Sequence, residues 1–319
     1  MQYYKYVKEL KMDSSSVGTV NKKSILTKKT KDYIFVAAML IIPVVHFIIF
    51  WGVVNFNSIL LSFRDHVTGK LDTSFHYYKA IVNLYKTGGL KESLVNTFIM
   101  SGFRIVFLLP WGFFLTYFLF KKLPFTGVWR VCLFLPSILP AIFTTVAYKY
   151  LLQSGGPLGI LWVKLIDPVK PNFLQDPRYA KWVVLVFYFL TNFGGQFILF
   201  TGAMSRIPEQ ILEAAQIDGA GMGTEIFKIV FPLCWPTFSM LLILNLSTIF
   251  TDAGPILFLT GGGADTRNIA FWIFEQVDGG GAGNLYQASA VGIVCTIITF
   301  PIVSLVRWAS GKIFADVEF

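Results

Sequence analysis

The sequence predicts an all-α membrane protein of six transmembrane helices, and three observations carry that prediction. The chain of 319 residues is 55% hydrophobic and 17% aromatic but only 14% charged, against about 25% charged in an average soluble domain. Apolar runs close to the roughly 20 residues that a helix needs to cross the hydrocarbon recur six times along it. The connections between these runs are at most about thirty residues long, too short for a separate soluble domain.

The chain opens with a polar, lysine-rich tail, 1–31, which holds Lys5, Lys8, Lys11, Lys22, Lys23, Lys28, Lys29 and Lys31 and so most of the net charge of +9. It is too long and too polar for the charged start of a cleaved signal peptide, so it is expected to remain in the mature protein and to be disordered. The six apolar runs follow at 33–61, 94–120, 127–152, 182–203, 233–259 and 288–308. A membrane domain, 32–309, and a short tail, 310–319, complete the division.

Positive charge is retained on the cytoplasmic side. With the first tail inside, alternation puts 121–126, 205–232 and the last tail inside as well, so both termini are cytoplasmic. The outer connections still carry Arg64, Lys70, Lys79, Lys86, Lys91, Lys164, Lys170, Arg178, Lys181 and Arg267. Orientation therefore rests on the first tail together with Lys121 and Lys122.

Composition also excludes several functions. The basic residues form no patch interleaved with aromatics on a soluble face, so no nucleic-acid partner is expected. Cys132, Cys234 and Cys295 lie apart in apolar stretches, and His46, His66 and His76 are scattered, so neither a disulfide framework nor a metal site is indicated. No phosphate-binding loop of the GxxxxGK[ST] type occurs, so the chain holds no ATP of its own. No pair of carboxylates or histidine cluster suggests acid–base catalysis in the connections, which argues against a membrane enzyme acting on lipid-linked sugars.

The inner connection 205–232 is the most informative segment. A short helix is expected to start at Pro208, because proline suits the first helical position. Ile211, Leu212, Ala214 and Ala215 give it apolar and small faces, while Glu213 and Asp218 stay polar. Gly219 and Gly221 are expected to end it through left-handed backbone. A second helix is expected to restart at Thr224 as N-cap, with Glu225 in the first turn and Phe227 and Ile229 packed inward before Pro232 and Pro236. By periodicity alone, an amphipathic helix lying in the membrane interface fits the same residues.

Glu213-Ala214-Ala215, then Asp218-Gly219-Ala220, then Phe227, Ile229, Pro232 and Pro236 resemble the EAA coupling motif of permease subunits in binding-protein-dependent ABC importers. Phe231 stands where that family more often has leucine. Asn96-Thr97, Arg130 with Pro136, and Tyr148-Lys149-Tyr150 are similar to its sugar-transport branch. Leu259-Thr260-Gly261-Gly262-Gly263 resembles the MalF-like half of the permease pair, with Ala264 where proline is usual.

The resemblance implies the type I importer permease fold and no enzymatic activity in this chain. It also implies a second, MalG-like permease subunit, two ATPase subunits that bind ATP and Mg, and an extracytoplasmic solute-binding protein. Glu213, Ala214, Ala215, Asp218 and Gly219 become the expected ATPase contact. The implied cargo is a sugar, with an anionic solute such as a sugar acid or glycerol phosphate as the alternative. A secondary carrier is disfavoured by the lack of a strong internal repeat.

Two polar faces lie within the spans. Tyr188, Thr191, Asn192, Gly195 and Gln196 recur at helical spacing on the fourth, and Asn245, Thr248 and Asp252 on the fifth. Polar groups inside a membrane need partners or a wet cavity, so these faces are expected to point into the bundle, either along a substrate path or in helix–helix hydrogen bonds. Arg104 falls roughly 16 Å into the second span at the helical rise. Unpaired there, it would cost about 2.5–3.5 kcal/mol on insertion scales. Asp252 is the acidic candidate, as an internal partner; the other possibility is that Arg104 meets an acidic sugar or phosphate.

Overall fold

A computed structural model describes residues 22–65, 67–71, 75–121, 125–153, 155–165, 172–279 and 281–313. Among these the chain is helical, and the only pairing of extended backbone is an isolated antiparallel bridge between Arg64 and Leu71. Two compact units divide at Leu60–Leu61. Helix α1 begins at Lys22 and continues to Ser62, its apolar span covering Lys29–Ser62, and its residues up to Leu60 are the described part of the first unit. Its π-helical stretch, Phe47–Val53, begins just past Pro43, whose missing N–H interrupts the regular ladder. None of the described side chains up to Leu60 is buried.

The second unit begins with α2 (His76–Lys86) and α3 (Gly89–Phe120). Helices α4 (Thr126–Ile138), α5 (Ala141–Leu152) and α6 (Pro157–Leu165) follow, then α7 (Pro177–Met204). After α8 (Glu209–Ile217) come α9 (Met222–Ser247), the short α10 (Ile256–Leu259), α11 (Ile269–Asp278) and α12 (Gly283–Ile313). Helices α1, α3, α7, α9 and α12 are each long and apolar enough to cross a membrane, and α4 with the helices after it supplies a sixth crossing if the bent pair is taken as one. The fold is that of an all-α membrane protein.

Three expectations about the spans need correction. The third, expected as one helix over 127–152, bends by 106° between α4 and α5. Leu139 is extended (ψ 140°) because the ring of Pro140 crowds the helical conformation of the residue before it. The fifth, expected over 233–259, starts eleven residues earlier, at Met222, and ends at Ser247. Beyond it Thr248 leaves the helix and Gly254 turns left-handed (φ +48°) ahead of Pro255, so the chain rises as turns before α10. The fourth, α7, starts at Pro177, where Asp176 caps it by accepting from the Arg178 N–H at 3.0 Å. It is interrupted at Asn192 (φ −85°, ψ −6°) and restarts at Phe193.

Helices α3, α7 and α9 form the centre of the second unit. Phe113 of α3 meets Phe200 of α7 at 5.5 Å and Phe231 of α9 at 5.4 Å between ring centroids, both edge to face. Such pairs are worth about 0.5–1.5 kcal/mol each beyond their burial. Close approach matters as much, because helices in lipid associate through packing rather than through exclusion of water. At Gly112 an added Cβ would lie 2.5 Å from Gln196 Oε1, so α3 and α7 meet closely here and a larger residue would displace the Gln196 amide.

Candidate functional site

The connection 205–232 is held from beneath and open above. Ile207 and Leu212 are buried against Tyr117, Met204 and Val230, and Ala215 is half-buried. Glu213, Ala214, Asp218 and Gly219 are exposed, as are the apolar side chains of Ile211, Met222 and, at 86%, Ile217. Pro208 (ψ 130°) is the N-cap and α8 begins at Glu209. Gly219 ends the helix with φ +78° while Ala220 N–H donates to Ala215 O at 2.9 Å, the hydrogen bond of a left-handed terminus.

Several local expectations differ from what is observed here. Gly221 is extended (φ −72°, ψ 164°) and serves as N-cap of α9, so Thr224 lies within the first turn instead of capping it. Phe227 does not pack inward: it is 61% exposed and touches Phe114 edge-on at 5.9 Å. The buried pair is Ile226 and Val230, four apart and thus on one helix face, with Ile229 half-buried beside them.

Glu225, expected in the first turn of the second helix, is buried at 5% exposure and pairs with Lys121 Nζ at 2.5 Å. Lys121 also sits 6.0 Å from the Tyr117 ring centroid. This ion pair joins the C-terminal end of α3 to the start of α9. Sequence reasoning missed it, although opposite charges at the adjoining ends of two spans were its signal.

The second constellation surrounds Arg104. Its Nη1 pairs with Asp252 Oδ2, and its Nη2 donates to Asn245 Oδ1 and Thr248 Oγ1, each at 3.1 Å. The guanidinium lies 5.8 Å from the Tyr188 ring centroid. The Arg104 side chain is 12% exposed and that of Asp252 28%. Thr248 and Asp252 reach the guanidinium from the turns beyond α9, where the chain folds back over it, and not from a continued helix.

The polar residues of α7 separate. Tyr188 is buried in the Arg104 cluster, its hydroxyl pressed so closely on Gly254 that a Cβ there would lie 2.0 Å away. Thr191 Oγ1 donates to Phe187 O at 2.9 Å and Asn192 Nδ2 to Tyr188 O at 3.1 Å, so both turn back on their own helix. Gly195 is exposed, and Gln196 is buried against Gly112.

The turns from Thr248 to Asn268 are fastened to α3, α5 and α7. Asn96 Nδ2 donates to Asp265 O at 2.9 Å and Arg267 O at 2.8 Å, and Thr97 Oγ1 accepts from the Ile269 N–H at 2.9 Å. Asn268 Nδ2 donates to Asp252 O at 2.8 Å, Lys149 Nζ to Phe258 O at 3.4 Å, and Lys181 pairs with Asp265 at 2.5 Å. Gly261, Gly262, Ala264 and Asp265 all have left-handed φ, between 51° and 72°. Proline, fixed near −65°, cannot occupy the Ala264 position in this backbone. Among the described residues no group of three His, Cys, Asp or Glu side chains could hold a metal ion.

With this geometry in view, comparison with known proteins is informative. The chain is 30% identical over 186 residues to the maltose/maltodextrin transport system permease protein MalF of Vibrio parahaemolyticus, covering 56% of this chain and 35% of that protein. To MalF of Vibrio vulnificus it is 27% identical over 238 residues, 67% of this chain and 44% of the relative. The chain thus spans less than half the length of these curated relatives. Its fold superposes with a TM-score of 0.78 on a bacterial ABC transporter involved in the import of the acidic polysaccharide alginate, at 21% identity over 90% of this chain and 99% of that one. Residues 108–315, from the middle of α3 to the end of the described chain and just past it, match the family of binding-protein-dependent transport system inner membrane components. That match covers more than half of the sequence and includes both the connection 205–232 and the turns 248–268, and the chain belongs to this family.

Proposed function

We propose that this chain is one of the two membrane-spanning subunits of an ATP-driven carbohydrate importer, and that the connection 205–232 passes to it the motion of a separate ATPase. The observation that carries the proposal is the two-sided build of that connection. Ile207, Leu212, Ile226 and Val230 bind it to the spans, while Glu213, Ala214, Asp218 and Gly219 are presented beside the exposed Ile211 and Ile217. An exposed apolar cluster rimmed by polar residues marks a protein contact. Glu213, Ala214, Ala215, Asp218 and Gly219 form that contact, and closure of the ATPase around ATP and Mg would swing α8 together with the helices it rests on.

The remaining assembly comprises a second, MalG-like permease subunit, two ATPase subunits and an extracytoplasmic solute-binding protein, with membrane lipid around the spans. This chain binds no cofactor itself. It sits in the cell membrane as a domain over 32–309, with the tails 1–31 and 310–319 in the cytoplasm beside the ATPase. Carbohydrate as cargo is supported by the named role of the maltose/maltodextrin relatives. Of the expected path residues, Asn245, Thr248 and Asp252 gather at Arg104 beside Tyr188 and supply the polar groups that a sugar path requires, whereas Thr191 and Asn192 bond back to their own helix and Gln196 is buried.

The test substitutes Glu213→Lys and Gly219→Val in the full assembly. Both variants are expected to insert normally and to lose uptake of labelled maltodextrin, with the ATPase either released or no longer stimulated. Normal uptake with the ATPase still co-purifying would refute the assignment of this loop.

A further inference from the structure

Arg104 and Asp252 are a charge-balanced pair inside a patch otherwise made of Tyr188, Asn245 and Thr248. All three of the bonds that Arg104 makes use its two Nη groups: Nη1 with Asp252, Nη2 with Asn245 and Thr248. A carboxylate or phosphate binds arginine best across a fork of two parallel N–H groups, either Nη1 with Nη2 or Nη2 with Nε. Both forks contain an Nη2 that is already committed. Only the buried Nε lacks a partner among the described residues.

The patch nonetheless has an open side, since Thr248 is exposed and Asp252 partly so. What it offers there is hydroxyl and carboxylate oxygen, next to an aromatic ring. Uncharged polyols bind such groups through their hydroxyls. An anion would meet the partly exposed carboxylate of Asp252 before it could reach a donor.

We propose that Asp252 is a resident counter-ion that sets the charge class of the cargo, so that the path takes uncharged sugars and refuses uronates and sugar phosphates. This rests on reading the chain as a sugar permease. It divides the labour between the two residues: Arg104 orients Asn245 and Thr248, and Asp252 occupies the place an anionic ligand would take. The position of Asp252 makes this economical, because its main-chain oxygen is held by Asn268 and its side chain is therefore delivered to Arg104 from a fixed turn.

The experiment uses the assembled transporter with its partner subunits and measures thermal stabilisation by glucuronate and by sulfate, with methyl glucoside as the neutral control. The wild type is expected to respond to neither anion. Asp252→Asn, which keeps the shape but not the charge, leaves Arg104 without its counter-ion and is expected to bind both anions at least about tenfold more tightly, the effect of 1.4 kcal/mol. Asp252→Ser, which removes the same charge, should do likewise and carries the test if Asp252→Asn fails to assemble, while Asp252→Glu and the double variant Arg104→Gln/Asp252→Asn should behave as the wild type. Equal anion binding by wild type and Asp252→Asn, or anion binding by the double variant, would overturn it. Because this readout needs no transport, it is separable from the sugar reading: absence of carbohydrate uptake by an assembly that shows the expected anion pattern would sink only the latter.

Discussion

The Lys121–Glu225 pair offers the sharpest perturbation of the coupling element. Glu225 has a side-chain exposure of 6% and Lys121 one of 28%. Removing one partner of a fully buried pair costs about 3–5 kcal/mol, because the other charge is left without compensation, whereas exposed pairs are worth about 0.2–1 kcal/mol. The two single variants should therefore differ. Lys121→Met leaves the buried carboxylate with the Tyr117 hydroxyl but without a counter-charge, and should cost about 3 kcal/mol. Glu225→Gln strands a lysine that can reach water, and should cost roughly 1–2 kcal/mol, between the two limits. The double variant replaces the pair by groups of similar volume, and should be more stable than Lys121→Met alone. A double-mutant cycle on unfolding of the reconstituted protein, followed by circular dichroism, measures this directly. Singles that add to within about 0.5 kcal/mol, the limit for independent sites, would refute the claim that α3 and α9 are joined through these charges.

Two further predictions concern the turns 248–268. Ala264→Pro, which would restore the residue usual in the resembling family, should destabilise this chain by about 1–3 kcal/mol, since a left-handed φ of 51° would have to be abandoned; thermal unfolding at or above the wild-type midpoint would show that the turn is built otherwise. Asn96→Leu removes the donor to two carbonyls at a site 1% exposed, and should cost roughly 2–6 kcal/mol at about 1–3 for each buried group left unsatisfied. Hydrogen exchange should rise at the amides of 265–269, and protection unchanged there would count against the assignment.

The long spans were readable because a run of some twenty apolar residues has few alternatives in water or lipid. What was not readable was where helices stop inside such a run. Pro140 bends the third span although Leu139 and Ile138 are as apolar as their neighbours, and Thr248 ends α9 where the polar spacing of Asn245, Thr248 and Asp252 still reads as one helical face. That spacing gave the right companions for a different reason, since all three meet Arg104 whether or not the helix continues.

In the connection 205–232, Gly219 was legible because a glycine after a short helix has one common use. Phe227 was not, because its neighbour Ile226 is equally apolar and only the third dimension decides which of two adjacent residues faces the core. The burial of Glu225 depends on Lys121, more than a hundred residues away, and no local pattern contains it. The resemblance of Asn96-Thr97 to a family was visible in the sequence, while its physical role as a clasp on the turn 265–269 required the fold.

The ion pair between α3 and the turn past α9 also has a history within each molecule. Asp252 follows Arg104 by 148 residues, and at a synthesis rate of about 5–20 residues per second it emerges roughly 7–30 s later. Throughout that interval the second span carries a bare cation at a depth where insertion scales charge about 2.5–3.5 kcal/mol for it. The apolar neighbours of Arg104, Ile105 to Leu109, must therefore hold the nascent helix in the bilayer unaided, so these residues answer to the order of translation as well as to the finished fold.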